Sequence, residues 1–148
     1  MKISTRGRYG LRALVELATC GEGACMPLRT IAQRHGMSEY YLEQLFAPLK
    51  KADIVKSVRG AQGGYKLNRA AKDITAGDVI KVLEGTLSPV DCLEDESYEC
   101  PSASCETCNT KPVWEKLYTG VNELLDTISL SDLIEEGKTN EPTKTSGT

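Results

Sequence analysis

Six cysteines in 148 residues are the side chains here best able to do chemistry, and Cys92, Cys100, Cys105 and Cys108 fall within 17 residues. Four thiolates in one loop would repel one another and oxidise readily without a partner. Ligation of a soft metal removes both problems, which suits zinc or an iron–sulfur cluster. Cys105-Glu-Thr-Cys108 is a CxxC common to zinc knuckles and clusters, while Cys92, Cys100 and Cys108 follow at steps of eight. Zinc sites usually pair two short chelating motifs and this segment has one, so zinc ranks second. Residues 1–8 carry positive charge with no apolar run behind them, so a disulfide framework of the secreted type is not expected. Cys20 and Cys25 stand apart from the cluster, at the end of the first helical stretch and in the loop behind it.

The net charge of −3 hides an asymmetry. Residues 1–72 hold thirteen Lys/Arg and five Asp/Glu, a balance of +8; residues 73–148 hold five Lys and sixteen Asp/Glu, a balance of −11. A basic front half points to a polyanion, and the acidic half is left for another task. No run approaches the ~18 apolar residues of a membrane span, so a cytoplasmic protein without a membrane partner is expected. Nothing resembles a Ser/His/Asp set, and the glycine tract at 60–64 lacks the Gly-Lys-Ser/Thr ending of a phosphate-binding loop. An enzyme with a small-molecule substrate is therefore not expected. A cluster-free regulator that uses the cysteines as a thiol redox sensor or a zinc site is the alternative; an iron–sulfur electron-transfer protein is the rival from another class, and the basic front half argues against it.

The elements that must position these residues are mainly helical. Residues 5–20 place Leu11, Leu14, Val15 and Ala18 on one helical face. Pro27 sits just inside a short helix over 28–35, which Gly36 closes. Ser38 caps a third helix, with Glu39 in its first turn and Leu42, Leu45, Phe46 and Leu49 facing inward. Two short helices joined by a glycine-containing turn make a helix-turn-helix. Behind it, the runs 54–58 and 65–67 flank a glycine-rich tip and read as a two-stranded wing. Thr75 caps a fourth helix carrying Val79, Ile80, Val82 and Leu83. A long amphipathic helix follows over 112–127, with Trp114, Leu117/Tyr118, Val121, Leu124/Leu125 and Ile128 at three- and four-residue steps. That spacing suits packing along another helix, either its own copy or its own domain. Ser131 is the expected cap of a last helix over 132–136, and 137–148 reads as a disordered polar tail. The predicted organisation is a winged helix-turn-helix domain over 1–85, a cysteine-rich loop over 86–111, a dimerisation helix with a short last helix over 112–136, and the tail.

A recognition helix inserts its N-terminal residues into the major groove of double-stranded DNA, so Ser38, Glu39, Tyr40, Tyr41, Glu43 and Gln44 matter most. Gln44 can pair with adenine and Glu43 can accept from cytosine N4. Ser38 and Tyr41 suit phosphate contacts. Arg59 at the wing tip is the minor-groove candidate. Lys2, Arg6, Arg8, Lys50, Lys51 and Lys56 could supply sequence-independent affinity.

These residues carry a resemblance. Met-Lys-Ile-Ser-Thr-Arg-Gly-Arg-Tyr-Gly at 1–10, Tyr-Leu-Glu-Gln-Leu at 41–45, Val-Arg-Gly at 58–60 and Gly-Gly-Tyr at 63–65 closely resemble the Rrf-type (BadM/IscR-like) family of winged-helix regulators. Ile-Thr-Ala-Gly-Asp-Val-Ile at 74–80 and Val113-Trp114 extend the match to about residue 135. The resemblance implies a homodimer joined through the long helix and binding imperfect palindromes, with Glu43, Gln44 and Arg59 in base-reading positions. It also implies an iron–sulfur cluster, 2Fe–2S in preference to 4Fe–4S. Cluster-binding members end their cysteine set in a Cys-x-Thr-x-x-x-Trp-like stretch, and Cys108, Thr110 and Trp114 match it. By that match Cys108 is the third ligand and Cys92 the first. The middle one is Cys100 by equal spacing or Cys105 by the CxxC. Lys111 stands where IscR-like members place a histidine ligand, and a protonated lysine cannot coordinate. The extra cysteine is the expected fourth ligand.

Overall fold

The computed structural model describes residues 1–101 and 105–140. Its order is α1 (Thr5–Ala18), α2 (Leu28–His35), α3 (Glu39–Lys51), β1 (Val55–Val58), β2 (Gly64–Leu67), α4 (Ala76–Glu84), α5 (Lys111–Asp126) and α6 (Leu130–Thr139). This is the expected mainly helical winged helix-turn-helix with a two-stranded wing and a long helix behind it. Ser4 caps α1 and Ser38 caps α3, each accepting a first-turn backbone N–H. Pro27 is the N-cap of α2 rather than its first residue, in extended conformation with φ −64° and ψ 143°. Gly36 ends that helix at φ 64°, left-handed geometry that a residue with Cβ adopts at a cost.

The wing pairs antiparallel, Val55 opposite Leu67, Lys56 opposite Lys66, Ser57 opposite Tyr65 and Val58 opposite Gly64. Its inner neighbour is Met26, whose N–H and carbonyl both bond to Tyr65, at 2.9 and 3.0 Å. Gly64 permits that approach, because a Cβ there would collide with the Met26 carbonyl. Tyr65 then meets Phe46 edge-on, ring centroids 5.0 Å apart, so the wing is keyed to the recognition helix through the core.

That core joins Leu14 and Leu17 of α1, Ile31 of α2, Leu42, Leu45, Phe46 and Leu49 of α3, Val79 and Leu83 of α4, and Leu130 of α6. Leu130 is fully buried. The Leu130 N–H bonds to the Ile74 carbonyl and the Ala76 N–H to the Ile128 carbonyl, so the start of α6 is stitched beside the start of α4. Helix α6 thus contributes Leu130 to the N-terminal core. Its cap is Ser129, not Ser131, since Asp132 stands three residues beyond Ser129 and closes a capping box. Gly137, Lys138 and Thr139 form its last turn rather than the head of a tail, and 141–148 lie outside the described residues.

Two carboxylates lock the ends together. One Glu84 oxygen accepts from Ser4 N–H, Ser4 Oγ and Gly7 N–H at 2.6–3.0 Å, closing the start of α1 against the end of α4. Lys81 Nζ donates to both Asp126 oxygens at 2.9 Å and ties α4 to α5. No described helix is long and apolar enough to cross a membrane.

Candidate nucleic-acid interface and cysteine segment

The exposed side of α3 carries Glu39, Tyr40, Glu43 and Gln44, opposite the buried Leu42, Leu45 and Leu49. Tyr40 is 71% exposed, a large aromatic with no packing of its own to satisfy. Ser38 is exposed, but its hydroxyl already accepts from Tyr41 N–H at 3.0 Å. Tyr41 differs from the sequence expectation. Its ring turns inward, edge-on to Tyr9 at 6.3 Å, and its hydroxyl is buried with no hydrogen-bond partner among the described residues. In this conformation the hydroxyl is closed off from solvent, because Tyr41 lies one turn before Leu45 and leans to the same inward side. Lys2, Arg6, Arg8, Lys56 and Arg59 are all exposed, as are Lys50 and Lys51. Arg8 and Arg12 lie over the Tyr9 ring at 5.8 and 5.7 Å, so part of the basic face is held by cation–π contact.

Two anchors of this face escaped sequence reasoning. Glu16, at the α1 end of the stripe, pairs with Arg34 and with His35 Nε2 at 3.1 Å, both on α2. Burial alone would raise its pKa, but the hydrogen bonds and charges of Arg34 and His35 outweigh burial and hold it low. An acid set among Ala13, Leu17 and Cys20 on a helix face was the available signal. His35 is thus a structural partner of Glu16, and it stands in the helix-turn-helix, far in sequence from the cysteine cluster. The second anchor is Cys25, whose Sγ donates to the Gln62 carbonyl at 3.0 Å and so touches the wing tip. Burial raises the pKa of the neighbouring Cys20, against the attraction of Arg34.

The cysteine segment runs between α4 and α5. Cys92 lies in a 3-10 turn, Asp91–Leu93, and is half-buried, as are Cys100 and Cys108. Cys105 opens another such turn, Cys105–Thr107. Cys108 Sγ lies 3.3 Å from Thr110 Oγ1, and Thr110 is the N-cap of α5. Hydrogen bonding from the Thr110 hydroxyl, then from the backbone N–H groups of Thr110 and Lys111, lowers the Cys108 pKa, and the nearby Cys100 opposes this. Cys100 and Cys108 are therefore close enough to feel each other's charge. Lys111 Nζ is turned to Glu115 at 3.9 Å. Among the described residues no three metal-binding side chains converge. The donor set nonetheless suits a soft metal centre in type.

Comparison with known proteins follows this geometry closely. Residues 3–136 match the model of the Rrf2 family, described as iron-dependent transcriptional regulators. The chain belongs to the Rrf2 family. It is a transcriptional regulator, not an enzyme. The HTH-type transcriptional regulator CymR of Bacillus subtilis is 49% identical over 134 residues, 90% of this chain and 89% of that protein. Among solved structures, T. potens IscR superposes with a TM-score of 0.78 at 42% identity, covering 97% of this chain and 93% of that one. The structure of B. subtilis CymR, described as the global cysteine regulator, superposes at 0.76 with 42% identity over 92% of this chain and 98% of that one.

Proposed function

We propose that this Rrf2 chain binds double-stranded DNA as a homodimer on an imperfect palindrome, and that an iron–sulfur cluster in the cysteine segment controls that binding. The observation that carries the proposal is the contact between Cys108 and Thr110. Thr110 stands at the N-cap position next to Lys111, the first residue of α5, so a change in Cys108 ligation acts beside the start of that helix. Helix α5 presents Val113, Leu117 and Leu124 to solvent, 56%, 40% and 62% exposed, at steps of four and seven. That stripe lies apart from the side that Lys81 and Asp126 hold against α4, and a second copy of α5 fits it. Glu43 and Gln44 read bases in the major groove and Arg59 enters the minor groove. Lys2, Arg6 and Lys56 act on phosphates.

Cys92, Cys100 and Cys108 hold the cluster, and Cys105 is the fourth donor. The mutual electrostatic influence of Cys100 and Cys108 supports Cys100 as the middle ligand. A bound cluster, 2Fe–2S by resemblance with 4Fe–4S and then zinc behind it, supplies a centre whose presence follows iron supply and whose charge follows redox state. The protein's part is to lower the Cys108 pKa through the Thr110 hydroxyl and the backbone N–H groups of Thr110 and Lys111, which ties Cys108 to the start of α5. Anaerobic reconstitution with iron and sulfide assays, followed by promoter footprinting with and without cluster, tests the proposal. A visible absorption band, stoichiometric iron and sulfide, and a footprint that changes with loading are expected. A colourless protein with one zinc per chain, or an identical footprint in both states, would overturn it.

A second reading, thiol redox control without metal, rests on Cys25. Oxidation of its sulfur removes the donor that holds Gln62, and so loosens the wing tip. Peroxide-sensitive operator binding that survives Cys92→Ser and Cys108→Ser but is lost in Cys25→Ser would favour this reading.

A further inference from the structure

At the base of the wing lies a cleft of about 530 Å³, bounded by the loop behind α1, the two wing strands, the segment leading to α4 and the first turn of α6. Such a volume is within the range of small-molecule sites. Its charge is one-sided: Lys56, Lys66, Arg69 and Lys72 line it, against the single acid Glu22.

Two features say that these cations await a partner. Lys56 and Lys66 are direct register partners across the wing, and like charges in that position destabilise a sheet. The fold tolerates them without compensation, since Lys56, Lys66 and Lys72 form no ion pair among the described residues. Arg69 is the exception, loosely held 3.9 Å from Asp78 and 3.5 Å from the Asp73 carbonyl, which fixes its guanidinium near the rim. An anion seated between the strands and the 68–72 segment would turn the Lys56–Lys66 repulsion into shared attraction.

We propose that this cleft is an effector site for a small polyanion, a molecule bearing two or more carboxylate or phosphate groups. Its position gives occupancy a consequence. The cleft floor is the wing, two register pairs below the tip at Val58 and Gly64, and its far wall includes Ser131 of α6. An occupant bridges the DNA-contacting hairpin to the helix that continues directly from α5, so it stiffens the wing against the rest of the fold. Lys56 is then shared, free for a DNA phosphate when the cleft is empty and drawn to the effector when it is filled.

The test uses the full chain without DNA, at constant ionic strength, with inorganic pyrophosphate and citrate as separate probes. Amide shifts by NMR and the thermal midpoint are followed against probe concentration. Saturable shifts confined to residues 18, 21–23, 56, 66–72 and 131 are expected, with at least about tenfold weaker binding in Lys66→Gln and Lys72→Gln, a change of about 1.4 kcal/mol or more. Lys66→Gln alone should raise the midpoint of the unliganded protein, because it removes the repulsion, and should move the further rise to about tenfold higher probe concentration. The probe that saturates at the lower concentration identifies the class, phosphate or carboxylate. Shifts that grow linearly, or that spread over α3 and Arg59, overturn the proposal. So does absence of probe binding combined with a loss of about one unit of operator-binding salt slope per lysine, which would assign the cleft to the DNA backbone.

Discussion

Replacing Leu124 by alanine should dissociate the dimer while leaving the protomer folded. Leu124 is 62% exposed in the single chain, so its side chain contributes little to protomer stability and much of its surface is free for a partner. Full burial of a leucine is worth about 1.5–3 kcal/mol, so covering the exposed part recovers about 1–2 kcal/mol in each protomer. A two-fold interface uses the residue twice, so the substitution removes about 2–4 kcal/mol and raises the dimer dissociation constant about 30- to 700-fold. Sedimentation equilibrium over a dilution series measures that constant directly, and far-UV circular dichroism with a thermal melt checks the protomer. Leu117→Ala, with less surface exposed, should act in the same direction and more weakly. Lys138→Ala, at the other end of the C-terminal region, is the control. A dimer constant within about threefold of the parent, or a parent chain that stays monomeric at high micromolar concentration, would refute the assignment of this stripe to a second copy.

Leu130→Ala should cost about 2–5 kcal/mol by urea denaturation, as for other fully buried leucines, and a loss below about 1 kcal/mol would show that α6 is not part of the core. Glu16→Gln should destabilise by about 1–3 kcal/mol at neutral pH, since it breaks charge-assisted bonds to Arg34 and His35. Because the folded pKa of Glu16 lies below its ordinary 4.5, its contribution is complete above that value and is lost as pH falls through the folded one. The gap between parent and variant should therefore stay open above pH 4.5 and close in urea melts below it; an unchanged gap at pH 3 would exclude the carboxylate as its source. Gln44→Ala should weaken operator binding by about 1–3 kcal/mol and relax the preference at one base pair, read by competition with single-base operator variants. Equal loss on every variant would make Gln44 a backbone contact.

Much of the fold was legible because it rests on local rules. The stripe Leu42, Leu45, Phe46, Leu49 needs only helical periodicity to declare which side of α3 faces the core, and all four are buried. Gly36, Ser38 and the Thr75–Asp78 capping box mark helix ends through the backbone groups they satisfy within a few residues. The wing was equally plain, since β-branched runs around glycines have few other uses. The resemblance carried by the 41–45 and 58–65 motifs reached the family. Where the reading failed, nearby residues competed on equal local terms. Ser129 and Ser131 are both competent caps, and only the docking of Leu130 decides between them.

The sequence by itself thus determined the helix-turn-helix, the wing, the exposure of Glu43, Gln44 and Arg59, and the crowding of four cysteines ahead of the long helix. Tertiary structure alone decided what depends on contacts distant along the chain. It turned Tyr41 inward against Tyr9, placed Leu130 in a core built mostly from residues before 85, and set Glu84 on the start of α1. It also brought Cys25 to Gln62 and gathered Lys56, Lys66, Arg69 and Lys72 around one cleft. The physical reason is common to all of these. Periodicity and caps are set by neighbours a few residues away, whereas the direction of a ring or the meeting of two charges is set by which surfaces the whole chain brings face to face.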